Sequence, residues 1–147
     1  MRMFKTIVVG TDGSPTADKA VSAASDLARQ WGSKLHVVTG FRTGTSGMAS
    51  LAGAAMVDTG TEHALRHEAA TDIGQQAVDS WGKGIEIELH AVPGDPADAI
   101  LDTAAAVDAD LVVVGSKGMR GARRILGSVP NSVAHGAPCG VLIVKTD

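Results

Sequence analysis

Cysteine is almost absent from this 147-residue chain, where Cys139 stands alone. No internal disulfide can form, so the staples on which small secreted domains depend are excluded. Followed by a glycine and an apolar run, Cys139 is expected to behave as a small buried hydrophobe and not as a catalytic thiol. Long hydrophobic runs are also missing. Stretches such as LVVVG at 111–115 fall far short of the ~20 apolar residues that cross a bilayer. No charged-then-apolar leader with a small-residue cleavage site opens the chain, so the expected address is cytoplasmic, with no membrane partner. Net positive charge is lacking too: the formal charge of −3 speaks against nucleic-acid binding, which calls for a basic face. Acidic residues, in turn, are absent from Leu111 to Val144, while Lys117, Arg120, Arg123 and Arg124 all fall there. The positive charge is local, and it marks one segment for attention.

What remains is a globular balance, 44% hydrophobic and 20% charged, too apolar for disorder and long enough for one domain with one core. Residues 4–10, FKTIVVG, form a short β-branched run ending in glycine. Ser14 and Pro15 then supply an N-cap and a first-turn proline for a helix carrying Ala20, Val21, Ala24, Leu27, Ala28 and Trp31 at spacings of three and four, stopped by Gly32. KLHVVTGF (34–41) reads as a second strand. Arg42 to Gly60, rich in Gly, Ala, Ser and Thr without a sustained period, reads as a flexible insertion or lid. A second helix is expected near Thr61 to Trp81, with Leu65, Ala69, Ile73, Ala77 and Trp81 spaced at four. IEIELHAV (85–92) alternates as a strand should. Asp95 and Pro96 open a third helix with Ala99, Ile100 and Ala104 inward, and DLVVVGS (110–116) is the fully apolar kind of strand that a parallel sheet buries on both faces. SVPNSVAHG (128–136) and GVLIVKT (140–146) complete an alternating βαβαβαβαβ order. That order implies an α/β fold: a single-domain, open, doubly wound, five-stranded, mainly parallel sheet with helices on both faces.

In such sheets ligands settle beyond the carboxyl ends of the strands. The rule selects GTDGS after the first strand, TGF after the second and the segment from Gly115 onward. Gly115 ends an apolar strand, Gly118 follows three later, and Gly127 with Ser128 opens a helix. Glycines let backbone N–H groups converge on an anion, and a helix N-terminus adds unpaired donors and partial positive charge. Each part is a device for holding phosphate. Neither a GxxxxGK[ST] loop nor a GxGxxG after the first strand is present. Asp12 follows the first strand as a hydrogen-bond acceptor, although an Asx-turn in TDGS would also account for it. The i, i+4 pair His63 and His67 has only Glu62 and Glu68 beside it, His36 and His90 lie on strands and His135 stands alone, so no metal site is expected. Trp31 and Trp81 are expected as core anchors.

The spacing Gly115, Gly118, Gly127-Ser128 resembles the nucleotide loop of the universal stress protein family, G-x2-G-x9-G-[ST]. The resemblance spans residues 1–147: KTIVVGTDGSPTADKAV is similar to that family's opening, VPGDPADAIL to its approach to the third helix, and ADLVVVGSKGMRGARRILGSVPNSVAHGAPCGVLIVKT to its signature end. One departure is that Gly118 and Gly127 enclose eight residues instead of nine. The resemblance implies a Rossmann-like, adenine nucleotide alpha hydrolase-like fold with strand order 3-2-1-4-5. It also implies ATP or another adenine nucleotide such as cyclic AMP as ligand, with Mg possible beside ATP. The implied nucleotide-binding residues are Gly10, Thr11, Asp12, Val38, Thr39, Gly115, Lys117, Gly118, Arg120, Gly127, Ser128 and Val129. Asp12 would hold the ribose, the Val38 main chain would meet adenine, Gly115 and Gly118 would approach the ribose and phosphates, and Gly127 to Val129 would surround the phosphate tail. The expected role is a non-enzymatic stress or energy-state sensor, dimeric through Gly140–Thr146, whose apolar run would otherwise sit at an open sheet edge. Slow ATP hydrolysis or autophosphorylation at Ser128 is the enzymatic alternative, although no base is evident near the loop.

Overall fold

The computed structural model describes residues 3–42, 59–116 and 126–146. The segment expected as an insertion lies outside these residues over 43–58, and so does the loop at 117–125 with Lys117, Gly118, Arg120, Arg123 and Arg124. Strands β1 (Thr6–Gly10), β2 (Lys34–Phe41), β3 (Glu86–Pro93), β4 (Leu111–Gly115) and β5 (Gly140–Val144) alternate with helices α1 (Pro15–Trp31), α2 (Thr59–Trp81), α3 (Pro96–Ala106) and α4 (Ser128–Gly136). The five strands form one sheet in the order β3-β2-β1-β4-β5, and every pairing is parallel. The expected order 3-2-1-4-5 is therefore the observed one.

Capping chemistry sets where the helices begin. Ser14 Oγ accepts the Ala17 N–H at 3.2 Å with Pro15 in the first turn, and Asp95 Oδ1 accepts the Ala97 N–H at 3.0 Å with Pro96 in the same place. Gly32 ends α1 in the left-handed region, φ 63°.

The strand period of two splits the core. Ile7, Val9, Leu35, Val37 and Val113 point toward α1 and α2, while Val8, Val38, Val112 and Val114 point toward α3 and α4. Most of these side chains are completely buried. At the amino end of the sheet, the Asp110 carboxylate accepts the Lys5 and Thr6 N–H groups at 2.8 and 2.9 Å, tying the entries of β1 and β4 together.

Helix α2 corrects one expectation. Leu65 is 62% exposed and Ala69 is exposed, whereas Ala70, Gly74 and Ala77 are buried. A stripe spaced strictly at four gains about 40° per step on a helix of 3.6 residues per turn, so Leu65 and Trp81 cannot share a face. Trp31 and Trp81 are half-buried, Trp31 meeting Phe4 edge-on at 6.0 Å between ring centroids. Cys139 packs among the partly buried residues beside α3 and α4, as a small hydrophobe would. Burial, with the Asp110 carboxylate adding to it, pushes its thiol pKa up.

The two sheet edges differ in character. Edge strand β3 carries Glu86 and Glu88 against Lys34 and ends in Pro93, whereas edge strand β5 reads GVLIV, with Leu142 37% exposed. No helix among the described residues is long and apolar enough to cross a membrane.

A cleft at the carboxyl ends of the central strands

Where β1 separates its two neighbours, β2 and β4, their connections leave in opposite directions and the carboxyl ends open into a cavity of about 230 Å³. Gly10, Thr11 and Asp12 come from the end of β1, Ser14, Thr16 and Ala17 from the start of α1, and Val38 and Gly40 from β2. Pro96 and Ile100 enter from α3, Val114 and Gly115 from β4, and Val129 and Pro130 from α4. Three helix N-termini, those of α1, α3 and α4, thus border one space.

The turn after β1 is held by its own side chains. Thr11 donates its N–H to the Val38 carbonyl at 2.9 Å, Thr11 Oγ1 accepts the Gly13 N–H at 3.1 Å, and Asp12 Oδ1 accepts the Ser14 N–H at 2.9 Å. Gly13 sits at φ 79°, which only glycine adopts cheaply. The Asx-turn weighed from the sequence is therefore formed. A carboxylate offers about four lone-pair sites, and the Ser14 N–H takes one of them. Asp12 is exposed, and it is the only acidic residue among the described lining residues.

Helix α4 begins at Gly127, which has no side chain to cap it. The N–H groups of its first turn therefore have no side-chain acceptor of their own at the cap position, the arrangement that favours an anion. Gly40 explains how α3 comes so near: a Cβ there would lie 3.0 Å from Pro96 Cα and 3.3 Å from Pro96 N, so a side chain would push β2 and this helix start apart by a few tenths of an ångström. Ser116, 2% exposed, accepts the Thr146 N–H through Oγ at 3.1 Å and fastens the end of β4 to the segment after β5.

Of the residues expected from the sequence, Gly10, Thr11, Asp12, Val38, Gly115 and Val129 meet at this cavity. Thr39, Gly127 and Ser128 do not line it. Thr39 is 3% exposed and one position along the strand from Val38, so its side chain points to the opposite face. Lys117, Gly118 and Arg120 fall outside the described residues. The residues missed from the sequence, Pro96, Ile100 and Pro130 among them, come from the approach of α3 and α4. The strand-end rule pointed at Gly40 through TGF, but nothing local announced Pro96.

A family model described as "Universal stress protein family" matches residues 3–145. The universal stress protein Rv1636 of Mycobacterium tuberculosis is 35% identical over 150 aligned residues, covering 99% of each chain. Among solved structures, a universal stress protein in complex with cAMP is 32% identical, with a TM-score of 0.66 and 98% of each chain covered. A universal stress protein from Archaeoglobus fulgidus in complex with dAMP is 26% identical, with a TM-score of 0.61 and 97% and 99% of the two chains covered.

Proposed function

Because the chain belongs to the universal stress protein family, we propose that it binds an adenine nucleotide in this cleft and acts as a non-enzymatic regulator that reports nucleotide occupancy. The observation that carries the proposal is the polarity of the cleft. It is lined by aliphatic residues at Val38, Ile100, Val114 and Pro96 together with the Asp12 carboxylate and the first turn of α4. Flat apolar walls suit a purine, a carboxylate accepts the ribose hydroxyls, and a helix N-terminus accepts phosphate. The solved relatives that hold cAMP and dAMP support the adenine assignment.

ATP is our leading ligand, with Mg2+ carried by its phosphates. A second reading, cyclic AMP, is favoured by the cAMP-bound relative and by the eight-residue interval between Gly118 and Gly127, since a cyclic monophosphate needs a single anion cradle. The non-enzymatic assignment rests on the described lining residues, which include no histidine and only one carboxylate. Phosphoryl transfer calls for a positioned base or water-orienting group in addition to whatever holds the ribose. We further propose a cytoplasmic homodimer formed through the apolar edge of β5.

Competition calorimetry with ATP, ADP, AMP and cyclic AMP tests the reading, together with mass spectrometry of ligand carried through purification. One-to-one binding of ATP or cyclic AMP, weakened by Asp12→Ala, is expected. Ligand at ~100 times its dissociation constant should stabilise the fold by about 2.7 kcal/mol, raising Tm by roughly 5–10 °C. Equal millimolar binding of all four nucleotides would overturn the proposal, and turnover abolished by Asp12→Ala would overturn the non-enzymatic part.

A further inference from the structure

A second cluster lies away from the cleft, on the β2–β3 edge of the sheet. Parallel register places His36 opposite Glu88 and Val38 opposite His90. His36, Glu88 and His90 occupy even positions on their strands and share one face. His36 Nδ1 lies 2.8 Å from His90 Nε2, and the Glu88 oxygens stand 3.8 Å from His36 Nδ1 and 4.0 Å from His90 Nε2. All three donor atoms fall within 4.8 Å of one another. We propose that His36, Glu88 and His90 form a binding site for a divalent transition-metal ion of the zinc class.

The distances fit that chemistry. Bonds of about 2.0–2.1 Å at the tetrahedral angle put neighbouring donors roughly 3.3 Å apart. The observed separations bracket this value, so the imidazoles part by about half an ångström while the carboxylate closes by a similar amount. Both motions are side-chain rotations. The two imidazole nitrogens and the carboxylate oxygen are borderline to hard donors, a set that takes Zn2+ or Co2+ over Ca2+. Three protein ligands leave a fourth position for water or an anion. His36 is 4% exposed, whereas the side chains of His90 and Glu88 are 21% and 50% exposed, so one anchor is held rigidly and the ion enters from solvent.

Neutral imidazole is the ligand form. The proton shared in the His36–His90 hydrogen bond moves to the outer nitrogen of the ring that carries it when metal binds, so the imidazoles need release none. Lys34 is the competitor. Its ammonium lies 2.9 Å from Glu88 Oε2, and the ion must draw the carboxylate away from it.

The test titrates tag-free, chelator-stripped full-length protein with Co2+, read by the visible absorption of tetrahedral cobalt, with Zn2+ as competitor. One saturable site is expected. Glu88→Gln and His90→Gln, both at partly exposed positions, should each weaken it at least tenfold while circular dichroism stays unchanged. Lys34→Met should tighten it several-fold by freeing Glu88, and the doubly substituted His63→Gln/His67→Gln protein should bind as the wild type does. Absence of a saturable site overturns the proposal. So does a site that survives Glu88→Gln and His90→Gln, that is indifferent to Lys34→Met, or that disappears with His63 and His67.

Discussion

Gly10 and Ile100 meet in the wall of the cleft, and their contact yields a quantitative forecast. A methyl group added at Gly10 would overlap Ile100 Cδ1 and lie 3.0 Å from Ile100 Cγ1. The obstructing atoms are the end of a side chain, so Gly10→Ala is relieved by rotating Ile100, and the cleft is the open side. Overpacking of this kind costs about 1–3 kcal/mol. The reduced freedom of the unfolded chain returns about 0.4–1 kcal/mol, leaving a net loss of roughly 0.5–2 kcal/mol. Ile100→Val alone, at a site 3% exposed, should cost about 0.5–1.5 kcal/mol. Valine has no Cδ1, so the double variant should lose about 1 kcal/mol less than the sum of the two single ones. Urea unfolding of the four proteins, followed by circular dichroism, gives the cycle. Nucleotide affinity should move in parallel, weakened by Gly10→Ala and recovered in the double variant. Additivity within 0.3–0.5 kcal/mol would refute the reasoning, because the methyl and Cδ1 would then not be contending for one space.

Three shorter expectations accompany it. Ser14→Ala removes the acceptor of the Ala17 N–H and should cost about 1 kcal/mol of stability in the same assay. Asp110→Ala leaves two strand-entry N–H groups without their carboxylate and should cost about 1–3 kcal/mol, whereas a loss below a few tenths would mean that water replaces it fully. The Cys139 thiol, raised mainly by burial, should react with an alkylating probe at neutral pH more slowly than in the urea-unfolded chain. Its contribution to stability is complete below the unfolded thiol pKa of about 8.5 and declines as pH rises above it, because the unfolded thiol ionises first. Cys139→Ala should flatten that alkaline decline.

The parts of this fold that could be read in the sequence are those with local causes. Ser14-Pro15 and Asp95-Pro96 mark helix starts by a cap and a fixed φ, and the uninterrupted apolar run of β4 declares a strand buried on both faces. The β1 and β4 ends of the cleft could be found because the strand-end rule needs only strand positions. What escaped depends on distant register. His36 and His90 are 54 positions apart, and only the pairing of β2 with β3 shows that they share a face. The buried stripe of α2 was misjudged because small residues line it, Ala70, Gly74 and Ala77, and a count of large apolar side chains overlooks them. The contact of Gly40 with Pro96 escaped for a similar reason: a close backbone approach shows itself only once both elements are placed.

The unlike edges of the sheet would limit how far the proposed pairing of copies could extend. Self-pairing along β5 would consume that edge in both partners, since a two-fold interface uses the same patch twice. The joined sheet would then end on both sides in β3, where Glu86 and Glu88 face solvent and Pro93 offers no N–H to a newcomer. Growth would stop at two. An apolar replacement of both glutamates and of Pro93 would remove that barrier, and a chain already paired along β5 could then extend through β3 into an open-ended ribbon.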